Sequence, residues 1–427
     1  MCNCVKMIDI KDLRQNPQVY RQACESKNKS VDIDRLLELD RSALDLRKQL
    51  QNLVTQKNQA GKMIAKIKDA AERETAIAQM SQLKEDEKRL SGELEQLEPQ
   101  IEELLLNMPQ PAHPDAPVGP DESGNIEVRQ WGQVPNFNFD VQDHVTLGQQ
   151  RGWIDLERGV KLSGTRNYLL TGDGTLLHRA VLNFAHDIMV EKGFSPLTVP
   201  VLTREPTFVG TGWFPEGKSQ VYQIPEDELF LVGTAEVPAT SLYMDEILSE
   251  PDLPRRFVAQ SLCFRREAGA AGKDTHGLYR IHQFEKVEQV IIARNHVEEA
   301  NDWLEQIVAN SEQVLQALEL PYRVIEVCTG DMGMGKYRMY DIETWMPSRG
   351  GYCETHSASN LLEFQARRLN LRYRGEDGKV HFCHTLNNTV IASPRILIAL
   401  LENHQTPEGK VRIPAALRPY LQNRAEL

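Results

Sequence analysis

Nowhere in the 427 residues does an apolar run approach the roughly 18 residues that a membrane-spanning helix needs. Met1 to Ile10 also lacks the charged-then-apolar pattern of a secretory signal, so a cytoplasmic chain with no membrane partner is expected. Cysteine is sparse. The seven residues Cys2, Cys4, Cys24, Cys263, Cys328, Cys353 and Cys383 are odd in number and form no CxxC, which excludes a disulfide framework and leaves no structural zinc expected. Positive charge is in deficit, with 49 Lys and Arg against 61 Asp and Glu and a net charge of −12. The chain as a whole therefore repels polyanions, and any nucleic-acid binding needs a local basic patch. The familiar nucleotide signatures are missing as well. Gly272-Lys273 is followed by Asp274 and preceded at the wrong position by Glu267, so it is no P-loop; Gly333-Met-Gly335 has Arg338 where a dinucleotide fingerprint needs its third glycine. What remains, 41% hydrophobic and 26% charged, is the balance of a globular protein of two or three domains.

From Leu36 the apolar residues recur every seven: Leu36, Leu39, Ala43, Leu46, Leu50, Leu53, Ala60, Ile64 and Ile67, interrupted once by Lys57. After a polar stretch from Lys68 to Thr75, a second seam runs through Met80, Leu83, Leu90, Leu94, Leu97, Ile101, Leu104 and Met108, interrupted once by Glu87. Two seams joined by a short turn predict an antiparallel helical hairpin, on the order of 50 Å long at the helical rise. A spacer or dimerisation role is the plain alternative for such an arm. Around its expected tip, however, Arg47, Lys48, Lys57, Lys62, Lys66, Lys68 and Arg73 outnumber Asp69 and Glu72, the patch an acidic chain needs to approach a polyphosphate.

The prolines after Met108 cannot continue a helix, so residues 109–135 are expected to be a linker between an arm domain, 1–108, and a second domain, 136–427. Beyond it, helical periods (Leu176 to Lys192, His296 to Leu320, Ile396 to Gln405) mix with alternating runs (Val221 to Ile224, Leu229 to Val232, Arg256 to Arg265, Ile281 to Arg294). That mixture predicts an α+β domain with antiparallel, hairpin-connected strands.

Chemistry concentrates between Phe257 and Ile292. Phe264-Arg265-Arg266-Glu267 ends one run, a glycine-rich loop follows from Ala268 to Gly277, and the return run from Ile281 sets Phe284, Lys286 and Glu288 on one face. An arginine, an aromatic ring and an acid on one surface can hold a phosphate, stack a base and receive a polar group. By composition alone such a hairpin is also an ordinary charged sheet face. The full run resembles motif 2 of class II aminoacyl-tRNA synthetases in its seryl-specific form. Lys192-Gly-Phe194 to Val199-Pro200 is similar to motif 1, a helix and strand at that family's dimer interface, and Thr234-Ala235-Glu236-Val-Pro238 to its serine-amino segment. Glu354-Thr355-His356-Ser357-Ala-Ser-Asn360 resembles the E-x-S-S-x-S-N strand, and Thr385 through Arg395 to Glu402-Asn403 resembles motif 3. The hairpin stands where that family carries its tRNA-binding arm.

The resemblance implies a fold and a set of roles. The fold is an antiparallel-sheet catalytic domain behind a coiled-coil arm, in a homodimer. The implied reaction activates L-serine with ATP and passes the seryl group to tRNA(Ser), with tRNA(Sec) as an open second partner. Arg265 and Arg395 are the implied catalytic residues, Arg265 on the α-phosphate and substrate carboxylate through geometry that lysine cannot copy, and Arg395 on the γ-phosphate. The implied ATP site comprises Arg265, Arg266, Glu267, Ile281, Phe284, Glu354, Thr355, His356, Ser357 and Arg395, with Glu267 accepting from the adenine amino group and Phe284 stacking on the ring. Glu354 and Ser357 supply the oxygen ligands that Mg²⁺ demands. Thr234, Ala235, Glu236, Arg265, Glu288, Asn387 and Thr389 form the implied serine site, Glu236 receiving the ammonium and Glu288 the hydroxyl. Lys57, Lys62, Lys66 and Lys68 are the implied tRNA contacts. His276, His282, His356 and His384 carry no acid–base role, because this chemistry needs no general base near neutral pH.

The chain departs from the family pattern at several positions. Serine is usual where Thr389 stands, glycine where Asn388, Val390 and Pro394 stand, serine at His356 and arginine at His276. The added methyl of Thr389 narrows the serine pocket, and the lost glycines leave the backbone course of the ATP floor open, with Arg395 in place. Two rivals remain in view: a relative that loads a small amino acid onto a carrier protein, against which the basic-tipped arm argues, and a silent coiled-coil scaffold, against which Arg265, Glu267, Phe284, Glu354 and Arg395 argue together.

Overall fold

The computed structural model describes residues 7–269 and 276–427; Cys2, Cys4 and most of the glycine-rich loop lie outside the described residues. Two compact units are present. One runs to Glu25 and from Lys29 to Pro109; the other comprises Ser26–Asn28 and Gln110–Leu427.

In the first unit, α1 (Ile10–Gln15) and α2 (Pro17–Ser26) precede two long helices, α3 (Ile33–Ile64) and α4 (Ala70–Leu106). Asp32 caps α3 by accepting from the Arg35 N–H, and Arg14 clamps Asp40 of α3 through two hydrogen bonds of 2.6 and 2.9 Å. The seam residues are buried or half-buried along both helices while their flanks are exposed. The second helix begins earlier than its apolar seam suggests. Asp69 accepts from the Glu72 N–H at 2.9 Å and starts α4 at once, so the polar stretch is a solvent-facing first turn. Lys57 and Glu87, the two polar interruptions of the seams, form an ion pair with one another, and Arg47 reaches Glu98 at 2.9 Å nearer the base. Lys57 therefore faces the partner helix, whereas Lys62, Lys66 and Lys68 are exposed around the tip.

The second unit is built on an eight-stranded sheet. Its strands are β1 (Ile126–Trp131), β2 (Ser195–Leu197), β3 (Arg255–Phe264), β4 (Gln283–Ala293), β5 (Tyr322–Glu326), β6 (Arg338–Met346), β7 (Gly351–Asn360) and β8 (His384–Ser393). They lie in the order β1-β5-β6-β7-β8-β4-β3-β2, antiparallel except for the β2–β3 pair. Short helix α5 (His144–Gln150) precedes three longer ones: α6 (Gly172–Glu191), α7 (Val297–Ala317) and α8 (Arg395–Asn403). Leu177, Val181 and Ala185 of α6, Leu304, Ile307 and Val308 of α7 and Ile396 to Leu401 of α8 join Val287, Ile291, Ile342, Ala358 and Ile391 in one core. The other face of the sheet is left for a cavity.

Residues 109–135 are more than a linker. Ile126–Trp131 is the edge strand β1, paired with β5, with Trp131 stacked 5.8 Å from Tyr322 and Arg129 gripping Glu312. Alternation could not announce it, because Ile126 and Val128 are exposed and neither face of the strand is buried.

Candidate active site

Two β-bulges aim the side chains into the cavity. Along β4, Phe284, Lys286 and Glu288 face the cavity, while Val287 enters the core and Gln289 donates to the Ile307 carbonyl of α7. On β8, Ile391 lies opposite Val287 but Thr389 opposite Glu288, so Val390 is the extra residue and both Thr389 and Ala392 line the cavity. On β7, His356 lies opposite Ile342 and Glu354 opposite Glu343, leaving Thr355 as the extra residue. Strict alternation would put Glu354 and Ser357 on opposite faces; the bulge brings them to one.

The cavity, about 220 Å³, has an acidic end. Glu236 opens a one-turn helix, Glu236–Thr240, and its Oε1 accepts from Gln365 and Asn387, each at 2.8 Å. The Thr234 hydroxyl accepts the Glu236 N–H at 3.2 Å. Glu288 is buried beside Lys286, and Thr389 donates to its Oε2 at 3.4 Å. Burial raises the Glu288 pKa above the ordinary carboxylate range despite the opposing pull of Lys286.

At the other end Arg265 lies 5.8 Å from the Trp213 ring and 5.2 Å from the Phe284 ring, with its Nε lacking a partner among the described residues. Its backbone N–H donates to the His282 carbonyl at 2.9 Å, fixing the mouth of the hairpin. Glu267 accepts from Arg280 at 2.9 Å, and Ile281 is buried in the lining. Arg395 donates to the Glu354 carbonyl at 2.7 Å and lies 3.6 Å from its carboxylate. His356 is buried and pushed down to about 3 by desolvation, so it is neutral; its Nδ1 pairs with the Thr355 hydroxyl at 2.7 Å. Thr355 also pairs with Thr344 at 2.7 Å. The pKa of Asp341, across from Ser357 in the β6–β7 pairing, is raised by burial and by Glu354 nearby.

Of the expected residues, Thr234, Glu236, Arg265, Glu267, Ile281, Phe284, Glu288, Glu354, Thr355, His356, Ser357, Asn387, Thr389 and Arg395 line this one cavity. Ala235 and Arg266 do not. Ala235 is wholly buried, and Arg266, exposed one step along from Arg265, is held by its backbone N–H to Gln220 at 2.8 Å. Lys286, Lys336 and Tyr279 are cavity residues that sequence reasoning did not assign. Tyr279 sits between two guanidinium groups, Arg349 at 4.2 Å and Arg395 at 4.3 Å. Only the alternation of β4 hinted at Lys286; nothing local marks Tyr279. The return segment is held from behind by His144, whose Nδ1 meets the buried Glu402 at 2.8 Å and whose Nε2 accepts the Leu278 N–H at 3.1 Å.

Asn388, in place of the usual glycine, is turned away from the cavity. Its Oδ1 accepts from Gln289 at 2.6 Å and Ser311 at 2.5 Å, and its Nδ2 donates to the Ser357 carbonyl at 3.1 Å. Strand β8 stays extended through Ser393.

An antiparallel sheet carrying an arginine-ended hairpin, an acid-bearing strand and a helix headed by arginine over one cavity is the framework of a class II aminoacyl-tRNA synthetase. Residues 220–404 match the family model described as the tRNA synthetase class II core domain (G, H, P, S and T), and residues 7–111 match the seryl-tRNA synthetase N-terminal domain. A relative named serine–tRNA ligase from Deinococcus radiodurans is 49% identical over 421 residues, covering 99% of both chains. Another of that name from Rubrobacter xylanophilus is 41% identical over 416 residues, covering 97% of this chain and 98% of its own. The crystal structure of a seryl-tRNA synthetase from Pyrococcus horikoshii complexed with ATP superposes with a TM-score of 0.92 at 36% identity, covering 98% of this chain and 99% of that one. The chain belongs to the seryl-tRNA synthetase family.

Proposed function

We propose that this chain joins L-serine to tRNA(Ser) in two steps, ATP and serine giving seryl-adenylate and pyrophosphate, then the terminal adenosine of the tRNA taking the seryl group. The observation that carries the reading is one cavity holding Arg265, whose Nε has no partner among the described residues, together with two separately bonded carboxylates, Glu236 and Glu288. Positioning and neutralisation of charge supply most of the rate in attack on a phosphate. Arg265 bridges the serine carboxylate and the α-phosphate, with Phe284 beneath the adenine ring. Glu267 receives the adenine amino group, and Arg395 the γ-phosphate. The serine ammonium goes to Glu236, held ready by Gln365 and Asn387, and the hydroxyl to Glu288.

The Glu354 carboxylate and the Ser357 hydroxyl, set on one face by the Thr355 bulge, suit Mg²⁺ carried in with the nucleotide: oxygen donors, few in number, with phosphates to complete the shell. Among the described residues no group of three His, Cys, Asp or Glu could hold a metal by itself. When bound, the ion offsets phosphate charge; the alignment remains the work of Arg265 and Arg395.

For the arm, exposed Lys62, Lys66 and Lys68 are the proposed tRNA contacts, with Lys57 removed from that set by its pairing to Glu87. Use of tRNA(Sec) stays an open extension. A homodimer is proposed through α6 and β2; Leu176 and Val190 of α6 are exposed, and β2 ends the sheet. Among the described residues no helix is long and apolar enough to cross a membrane; a cytoplasmic setting is proposed from the family alone.

Amino-acid-dependent ATP–pyrophosphate exchange across the twenty amino acids tests the reading. Exchange with serine alone is expected; equal exchange with alanine or glycine refutes Glu288 as hydroxyl acceptor, and none at all favours a silent scaffold.

A further inference from the structure

The acidic end of the cavity contains a cation that the mechanism above does not use. Lys286 is 5% exposed, and its ammonium contacts Glu288 Oε2, Thr234 Oγ1 at 2.8 Å and Thr389 Oγ1 at 3.4 Å. An ammonium has three protons and accepts nothing, so these three partners use it completely.

The remaining hydrogen-bonding capacity of the side chains around Lys286 then follows. Thr389, receiving from Lys286, turns its own proton to Glu288 Oε2. Thr234 receives from both Lys286 and the Glu236 N–H, so both its lone pairs are occupied and its proton is left over. Glu288 Oε1 has no hydrogen-bond partner among the described residues. Within this four-residue group the Glu288 Oε1 and the Thr234 proton are left open, and a hydroxyl group that gives one hydrogen bond and takes one satisfies both.

We propose that Lys286 is a positioning residue for side-chain recognition, arranging Glu288, Thr234 and Thr389 so that the pocket accepts a hydroxyl and rejects a methyl group or a hydrogen atom. This rests on the serine reading above. Lys286 also acts through charge: it is the ion-pair partner of buried Glu288, which otherwise faces Glu236, with Lys336 a more distant second cation. Without Lys286 the desolvated Glu288 takes up a proton more readily and becomes a donor as well as an acceptor, and both threonine hydroxyls are freed to rotate. A pocket of that kind has no single complement and distinguishes serine from alanine poorly.

The test is Lys286→Met, of similar length and volume without the donors. Exchange is measured with serine, alanine and glycine, together with the KM for ATP at saturating serine. Serine kcat/KM is expected to fall at least about 100-fold and the serine-to-alanine ratio at least about tenfold, because buried polar groups are left unpaired whichever substrate enters. The ATP KM should stay within about threefold, since Lys286 touches nothing in the nucleotide half. A merely structural loss lowers all substrates together and leaves the ratio untouched, so an unchanged ratio overturns the proposal. If the methionine variant does not fold, Lys286→Gln carries the same comparison, with the same expected loss of ratio and the same refuting result. Parent enzyme that fails to exchange with serine overturns the functional reading itself; parent that exchanges beside a variant of unchanged ratio overturns only the role of Lys286.

Discussion

Restoring glycine at position 388 should destabilise this protein, although glycine is what the family usually has there. Three interactions of Asn388 disappear, and their replacements are unequal. Ser311 has one proton and a second acceptor within reach, the Thr389 carbonyl at 3.0 Å, so it loses little. Gln289 keeps one amide proton on the Ile307 carbonyl at 2.9 Å, but the other, given to Asn388 at 2.6 Å, has nowhere to go in a fully buried position. An orphaned buried donor costs about 1–3 kcal/mol, the void about 1 more, and glycine inside a strand about 0.5–1, so the total is about 2.5–5 kcal/mol. Urea unfolding of Asn388→Gly against the parent, followed by tryptophan fluorescence, measures it; the five tryptophans all lie beyond the arm, so the signal reports the second unit. A shift below about 1 kcal/mol with an unchanged m-value would mean that the buried amide cluster relaxes or admits water, and that its hydrogen bonds are not limiting.

Arg265→Lys keeps charge but loses the planar fork, and serine-dependent exchange should fall by at least about 100-fold; near-parent exchange would place the phosphate-binding group elsewhere. Lys62, Lys66 and Lys68 replaced together by Gln should weaken tRNA binding and flatten its salt dependence, by up to about one unit of log–log slope for each phosphate no longer neutralised, while pyrophosphate exchange is unchanged; a parent salt slope in a filter-binding titration refutes the tip as an RNA-binding surface. Burial pushes His356 down to about 3 and His384 and His404 down to about 4. All three stay neutral when folded yet protonate near 6.5 when unfolded, so the stability they preserve is whole above that pH and drains as pH falls toward 4, by up to about 1.4 kcal/mol per pH unit for each. Urea midpoints between pH 7 and 5 should therefore decline, and His356→Gln should make the decline shallower; a slope identical to the parent would show that His356 is hydrated.

The sequence reveals elements whose chemistry is local and hides those made by register. The arm was legible because heptads repeat over many turns, and the Phe264-to-Glu288 hairpin because its charged, aromatic and glycine positions follow one another directly. Edge strand β1 was not, having no buried face to impose alternation. Neither bulge shows in the sequence: that Glu354 and Ser357 share a face depends on Thr355 dropping out of the β6–β7 pairing. Tyr279 between Arg349 and Arg395, and His144 between Glu402 and Leu278, join residues separated by 70 positions or more, and no local pattern encodes such meetings. Among the departures, Thr389 does line the pocket, while Asn388 turned out to serve the opposite side of the sheet.

The Lys57–Glu87 pair makes the helical arm a calibrated length. An apolar seam of repeating heptads fits itself almost as well after one helix slides by seven residues, a displacement of ~10 Å, with the connecting turn lengthened or shortened to suit. The two off-pattern charges meet in only one of those alignments; in any other, each would sit half-buried against leucines with no counter-charge. Their presence therefore costs some stability and in return sets how far from the base the exposed lysines are carried. Replacing both by leucine should give a hairpin that melts higher yet populates more than one reach, readable as a broadened distance distribution between spin labels at the exposed Lys48 of α3 and the exposed Lys84 of α4.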